Sequence, residues 1–189
     1  MGKLFRYLKK WSDSGTWVGG VAPGDGDAVY VRKGENLLVD IPKTPVLSLV
    51  NVEGSLIFDS DQDITFDAEY ILVKGGSLEI GTEEEPHTRK LTITMHGSAS
   101  GAQLPMFGNK VLAVKAPGRL EMHGAPRDVT WTDLAMTAEK NAYSITVNVP
   151  AGKTFDWKVG EEIVIASTDF AGRHAEKRTI TAVRGDYST

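Results

Sequence analysis

Tyr70-Ile-Leu-Val-Lys-Gly-Gly-Ser-Leu-Glu-Ile-Gly81 is the stretch on which the fold of this 189-residue chain turns. An apolar run breaks at two glycines, and a second run opens on Ser77-Leu78 with apolar and polar residues alternating. Alternation with period two marks a strand that buries one face, and paired glycines between two such runs mark a tight turn. The same strand–turn–strand unit recurs as Val50-Asn-Val-Glu-Gly-Ser-Leu56 and as Ala113-Val-Lys-Ala-Pro-Gly-Arg-Leu120. Outward from it, Gly34, Gly54, Gly76, Gly97 and Gly118 fall at steps of 20, 22, 21 and 21 residues. A fixed period between roughly 20 and 50 residues is the signature of a repeat architecture. With strands and almost no helical pattern, the expected fold is all-β: a parallel β-helix, or β-solenoid, with coils of about 21 residues. Glycine would stand at each corner, where a Cβ would clash or φ must be positive. A β-sandwich is the competing architecture.

Strand patterns extend over 28–39, 46–52, 55–58, 64–66, 70–73, 77–80, 91–95, 111–114, 119–122, 144–149, 162–165 and 178–183. One weak helical pattern covers 134–141. Residues 1–10 form a basic N-terminal segment, and 11–189 read as one solenoid domain that continues beyond 189 in the natural chain. The region from Trp11 to Val39, rich in Gly, Pro and Asp over 19–27, is the expected N-terminal cap of the first coil.

Composition narrows the function. Lys plus Arg is 21 against 25 Asp plus Glu, a net charge of −4, which excludes the basic surface that nucleic-acid binding requires. No apolar run is long enough to span a bilayer, so membrane insertion is not expected. The absence of cysteine removes disulfides and thiolate chemistry together.

Further motifs carry a family likeness. They are Trp11-Ser-Asp13 with Thr16-Trp17, Pro23-Gly-Asp-Gly-Asp27, Tyr70 to Gly81 with Thr82-Glu-Glu-Glu-Pro86, Gly108-Asn-Lys110, and Leu120-Glu-Met-His-Gly124. Thr130-Trp-Thr132 and Trp157-Lys-Val-Gly-Glu-Glu-Ile-Val-Ile-Ala-Ser-Thr-Asp-Phe170 complete the set. In this order they resemble the G8 domain, the glycine-rich module of fibrocystin-type and hyaluronan-binding cell-migration proteins. The resemblance implies a β-rich extracellular or cell-surface module with a glycan (hyaluronan-like) or extracellular protein as partner. Enzyme-linked members follow a Ser-Thr-Asp-aromatic stretch with Gln-Ala-Glu. Here Ser167-Thr-Asp-Phe170 is followed by His174-Ala-Glu176, and the departure points away from catalysis.

The candidate residues each have two readings. Asp169, His174 and Glu176 combine two carboxylates and an imidazole, the groups needed for acid–base work on a glycosidic bond, with Arg173 to hold a uronate carboxylate. Alternatively they solvate an exposed loop. Asp59, Asp61 and Asp63 could chelate calcium through oxygen, as could Asp25 and Asp27, or they could cap turns with no ion and no other cofactor. His96 and His123, each in a Met-His-Gly run, could share a metal from neighbouring coils or bond to backbone carbonyls. Trp157, with Trp11, Trp17 and Trp131, could stack on sugar rings or fill the core. Arg184-Gly-Asp186 matches an adhesion tripeptide. The expected function is therefore a non-catalytic module presenting a strand face to a glycan or protein. The alternatives are a module of a hyaluronan-type depolymerase or a self-assembling structural protein joined end to end.

Overall fold

The computed structural model describes residues 6–98 and 100–185. Among them the chain is built from strands, with three single-turn 3-10 helices at Ser14–Thr16, Val18–Gly20 and Gly172–His174. The strands are β1 Lys9–Lys10, β2 Ala28–Val31, β3 Asn36–Val39, β4 Leu47–Val52, β5 Ser55–Phe58, β6 Ile64–Lys74 and β7 Ser77–Ile80. They continue with β8 Leu91–Met95, β9 Val111–Lys115, β10 Arg119–Met122, β11 Glu162–Ile165 and β12 Glu176–Thr179. Two compact units divide the chain, residues 1–125 and 126–189, within the stretch that the sequence presents as a single domain.

The first unit holds two sheets whose strands are all parallel. One has the order β1-β3-β5-β7-β10, and the other has β2-β4-β6-β8 with β9 also paired to β6. From β2 to β7, successive strands alternate between the sheets, so each strand–turn–strand unit contributes one strand to each. In-register pairing then stacks like on like. Val31 faces Val52, which faces Val73, and Leu37 faces Leu56, which faces Leu78. All six are buried. Each such aliphatic side chain contributes about 1.5–3 kcal/mol by leaving water. Trp11 joins this core at 1% exposure, edge-on to Trp17 and Phe66 with ring centroids 4.9 and 6.2 Å away.

The 21-residue step is real for part of the chain only. Ala28 faces Leu49 and Leu49 faces Tyr70, but Tyr70 then faces Val111, a step of 41 residues. The reason lies in β6, which runs unbroken through the two short strands expected at 64–66 and 70–73. One stretch of it, Ile64–Ala68, pairs with β8, and the next, Tyr70–Lys74, pairs with β9. The chain between β8 and β9 is therefore an insertion, opened by His96 and Gly97. Gly34, Gly54, Gly76 and Gly118 all lie in the turns that lead into β3, β5, β7 and β10, whereas Gly97 turns into the insertion and is no corner. The corner itself is a stack of main chain. Ser77 N donates to Gly54 O and Arg119 N donates to Gly76 O, both at 2.8 Å. A Cβ on Gly76 would overlap the carbonyl oxygen of Gly54, and one on Gly54 would overlap those of Arg32 and Glu35. Close approach, not positive φ, demands glycine at these two positions.

In the second unit β11 and β12 pair antiparallel, Ile165 against Glu176 at one end and Glu162 against Thr179 at the other. The helix expected over 134–141 does not form, and 144–149 is not a strand. Their backbone groups bond to each other across an antiparallel bridge between Leu134 and Val147: Ala135 N donates to Thr146 O at 2.8 Å and Asn148 N to Asp133 O at 2.9 Å. Those bonds commit the main chain of Asp133 and Ala135 to the facing segment, so the helical pattern has no place to start.

Candidate functional site

The loop between β11 and β12 brings two of its expected residues together. The 3-10 turn Gly172–His174 points His174 back, and its Nδ1 lies 2.6 Å from Asp169 Oδ2. Ala171 N donates to the other oxygen of Asp169 at 2.9 Å. The His174 hydrogen bond, with that of Ala171, holds the Asp169 carboxyl below the usual carboxylate range. Both side chains are about half exposed. Glu176 does not join them; it stands on β12 and pairs with Arg178. Arg173 is exposed in the same turn, and Phe170 is fully exposed beside Asp169. The arrangement is an oriented imidazole–carboxylate pair in solvent, with its second carboxylate engaged elsewhere.

Trp157 is half buried. Its indole N–H donates to Val129 O at 2.6 Å and its ring lies 5.2 Å from Phe155, so it braces the second unit. Trp11 and Trp17 belong to or pack against the core of the first unit, and Trp131 is exposed.

The acidic turn is occupied with backbone. Asp61 N donates to Asp59 Oδ1 and Lys90 N to Asp63 Oδ1, both at 3.1 Å. Asp25 accepts from Val46 N at 2.7 Å and Asp27 from Gly24 N at 2.8 Å. The two Met-His-Gly histidines have separate surroundings. His96 Nε2 lies 2.8 Å from Asp67 Oδ1, and His123 bonds through its main chain to Ile80 and His87. No group of three or more metal-binding side chains gathers among the described residues. Asp186, the last residue of the tripeptide Arg184-Gly-Asp186, lies outside the described residues.

One cluster escaped the sequence reading. Strands β3, β5, β7 and β10 turn their other face outward. There Asn36, Ser55, Ser77 and Arg119 form one column, and Ile57, Glu79 and Glu121 belong to the next. Arg6 reaches this face as a fork, Nη1 to Glu79 Oε2 at 2.6 Å and Nη2 to Oε1 at 3.2 Å. Ser77 Oγ donates to Glu79 Oε1 at 2.5 Å and lies 2.9 Å from Ser55 Oγ. Burial pushes the Glu79 carboxyl up, but the hydrogen bonds from Arg6 and Ser77 together outweigh it and hold it below the usual range. The repeated Gly-Ser-Leu at 54–56 and 76–78 was the available signal, because it stacks Ser77 on Ser55. Nothing local in the sequence links Arg6 to Glu79.

Among the described residues, no helix is long and apolar enough to cross a membrane. Comparison with known proteins gives a match to the family model of the G8 domain over residues 16–135. Human fibrocystin-L is 39% identical over 187 residues, which cover 96% of this chain. Mouse fibrocystin is 37% identical over 164 residues, 86% of the chain. Protein rliB of Dictyostelium discoideum is 26% identical over 170 residues, covering 86% of the chain and 15% of that protein. The chain spans about 4% of the length of the fibrocystin-type relatives that it matches.

Proposed function

Because this chain belongs to the G8 domain family, we propose that it is a non-catalytic extracellular or cell-surface module, a β-solenoid that presents an outer strand face to a glycan or protein partner. The carrying observation is the in-register pairing of parallel strands in each sheet, which lines outward side chains up in straight columns, one per strand about 4.8 Å apart, a spacing suited to an extended ligand. The sparse chemistry of the β11–β12 loop supports the same reading. Cleaving a glycosidic bond takes two carboxyl groups on opposite sides of it. In this loop Asp169 is paired with His174, while Glu176 is paired with Arg178 on the strand.

The Asp169–His174 pair favours a second reading, a module of a hyaluronan-type depolymerase, since an oriented imidazole is the usual carrier of a proton. One experiment separates the two. High-molecular-weight hyaluronan is incubated with the chain, and chain length and binding are measured in parallel. Binding without shortening supports the module. Shortening that is lost in Asp169→Asn or Glu176→Gln would replace it with the enzyme. Neither binding nor shortening directs the search to protein ligands and to end-to-end self-association, read by sedimentation.

A further inference from the structure

The two sheets of the first unit end differently on the side where the chain begins. In one, the outermost strand is β1, two exposed lysines long. A short edge strand bearing lysine discourages any further strand from adding to it. In the other, the outermost strand is β2, Ala28-Val-Tyr-Val31, which pairs with β4 alone among the described residues and carries neither charge nor proline. Asp27 and Val31 turn their carbonyls toward β4 and the turn after it, accepting from Ser48 N at 2.9 Å and Glu53 N at 2.8 Å. Alternate residues of a strand direct their main-chain groups to opposite edges, so those of Ala28 and Tyr30 face the open one. Beside that edge runs a cleft of about 500 Å³, lined by all four residues of β2 together with Trp17, Val18 and Val21. Its rim is apolar and in water: Tyr30 is 59% exposed, Val21 76% and Val18 95%.

We infer that this edge joins a second copy of the chain, β2 against β2, antiparallel and about a two-fold axis. Charge selects that occupant. Asp25 and Asp27 precede the strand and Arg32 and Lys33 follow it, all four exposed. Each of the two carboxylates spends one oxygen on a main-chain N–H, and none of the four side chains makes an ion pair among the described residues. Antiparallel pairing of two copies sets the acidic start of each strand beside the basic end of the other, whereas parallel pairing sets acid beside acid. Symmetry also fixes the register. A two-fold axis keeps inward residues level with inward residues, so facing positions are both odd or both even. Tyr30 facing Tyr30 of the second copy satisfies this: the two exchange N–H and C=O bonds on the axis, Val29 faces Val31, and Asp27 comes level with Lys33. Because one patch serves both copies, the pair closes at two and does not grow into a fibre. The inference goes beyond the module reading, since the seam uses a sheet edge and not an outward strand face.

The test uses the whole chain. Sedimentation equilibrium from about 1 μM to about 1 mM should show monomer and dimer and nothing larger. Amide hydrogen exchange at Ala28 and Tyr30 should slow as the dimer fills, while Val29 and Val31 stay unchanged. Tyr30→Pro deletes a donor that only the seam uses, and Lys33→Glu sets a carboxylate level with Asp27. Each should weaken the dimer at least about tenfold. Circular dichroism checks folding, and Lys33→Glu, in an exposed turn, carries the test alone if Tyr30→Pro unfolds. A chain that stays monomeric at about 1 mM, assembly beyond two copies, or a dimer indifferent to the variants would overturn the proposal. A monomer that binds hyaluronan or another ligand keeps the module reading and loses only the seam; a dimer that meets these tests but binds nothing keeps the seam and loses the module.

Discussion

His96 Nε2 lies 2.8 Å from Asp67 Oδ1, which ties the residue that opens the insertion after β8 to a carboxylate within β6. The Asp67 side chain is 7% exposed, and its main-chain N–H donates to the buried Thr44 hydroxyl at 3.0 Å. His96 N also donates to Ala68 O at 2.8 Å, so the start of the insertion is fastened twice. His96→Ala leaves a buried carboxyl group without its partner and should cost about 1–3 kcal/mol. Asp67→Asn, which retains an oxygen acceptor and adds a donor, should cost less. A double-mutant cycle by urea denaturation should give a coupling of about 0.5–3 kcal/mol, and a coupling near zero would show the contact to be incidental.

The corner stack gives a steric prediction. Gly76→Ala and Gly54→Ala each place a methyl group on a carbonyl oxygen of the preceding turn and should destabilise by about 2–4 kcal/mol. Gly124→Ala is the control, because open space surrounds that position, and it should fall within about 0.5 kcal/mol of the parent. Denaturation midpoints for the three variants decide the matter. Equal effects at Gly76 and Gly124 would remove the corner from the account.

Glu79 predicts how acid acts. Its carboxyl is held below its ordinary value of 4.5 in the folded chain, so its contribution is fully present above that pH and is lost as pH falls through the folded value. Allowing for solvent around Arg6, that contribution is about 1 kcal/mol. Glu79→Gln should therefore be less stable than the parent at pH 7, with the difference narrowing as pH falls below 4.5 and through the lowered folded value. A gap that stays constant from pH 7 to pH 3 would contradict the ion pair.

His87 is 6% exposed, and its Nε2 has no hydrogen-bond partner among the described residues, while Nδ1 lies 3.2 Å from Ser60 Oγ. Exchanging both members of such a pair for apolar groups removes the orphaned atom without creating another. Ser60→Ala with His87→Phe should be as stable as the parent or more so. A loss of more than about 2 kcal/mol would assign the imidazole a polar duty that the structure does not display.

Calcium provides a ligand test. Asp59 and Asp63 each spend a carboxylate oxygen on a main-chain N–H, so the turn is held without an ion. Melting temperature should be the same with chelator and with millimolar calcium. A rise of several degrees with calcium would mean that Asp59, Asp61 and Asp63 regroup around the ion.

The sequence alone determined the all-β class, the inward apolar columns and the glycine turns at 34, 54, 76 and 118, but not that Gly97 leads into an insertion. Each depends on a short pattern: alternation within a strand, and a turn that admits no side chain. The family likeness was legible for the same reason, because its motifs are local runs. The double-length step after β6, the Asp67–His96 tie and the Arg6–Glu79 fork were decided only by tertiary structure. They join residues 29 to 73 positions apart, or depend on how long one strand grows before its neighbours pair. The second unit divides along the same line. The antiparallel partner of Glu162-Ile-Val-Ile165 falls at Glu176–Thr179 rather than 178–183, because pairing across the loop, and not the apolar pattern of the second strand, sets where β12 begins and ends.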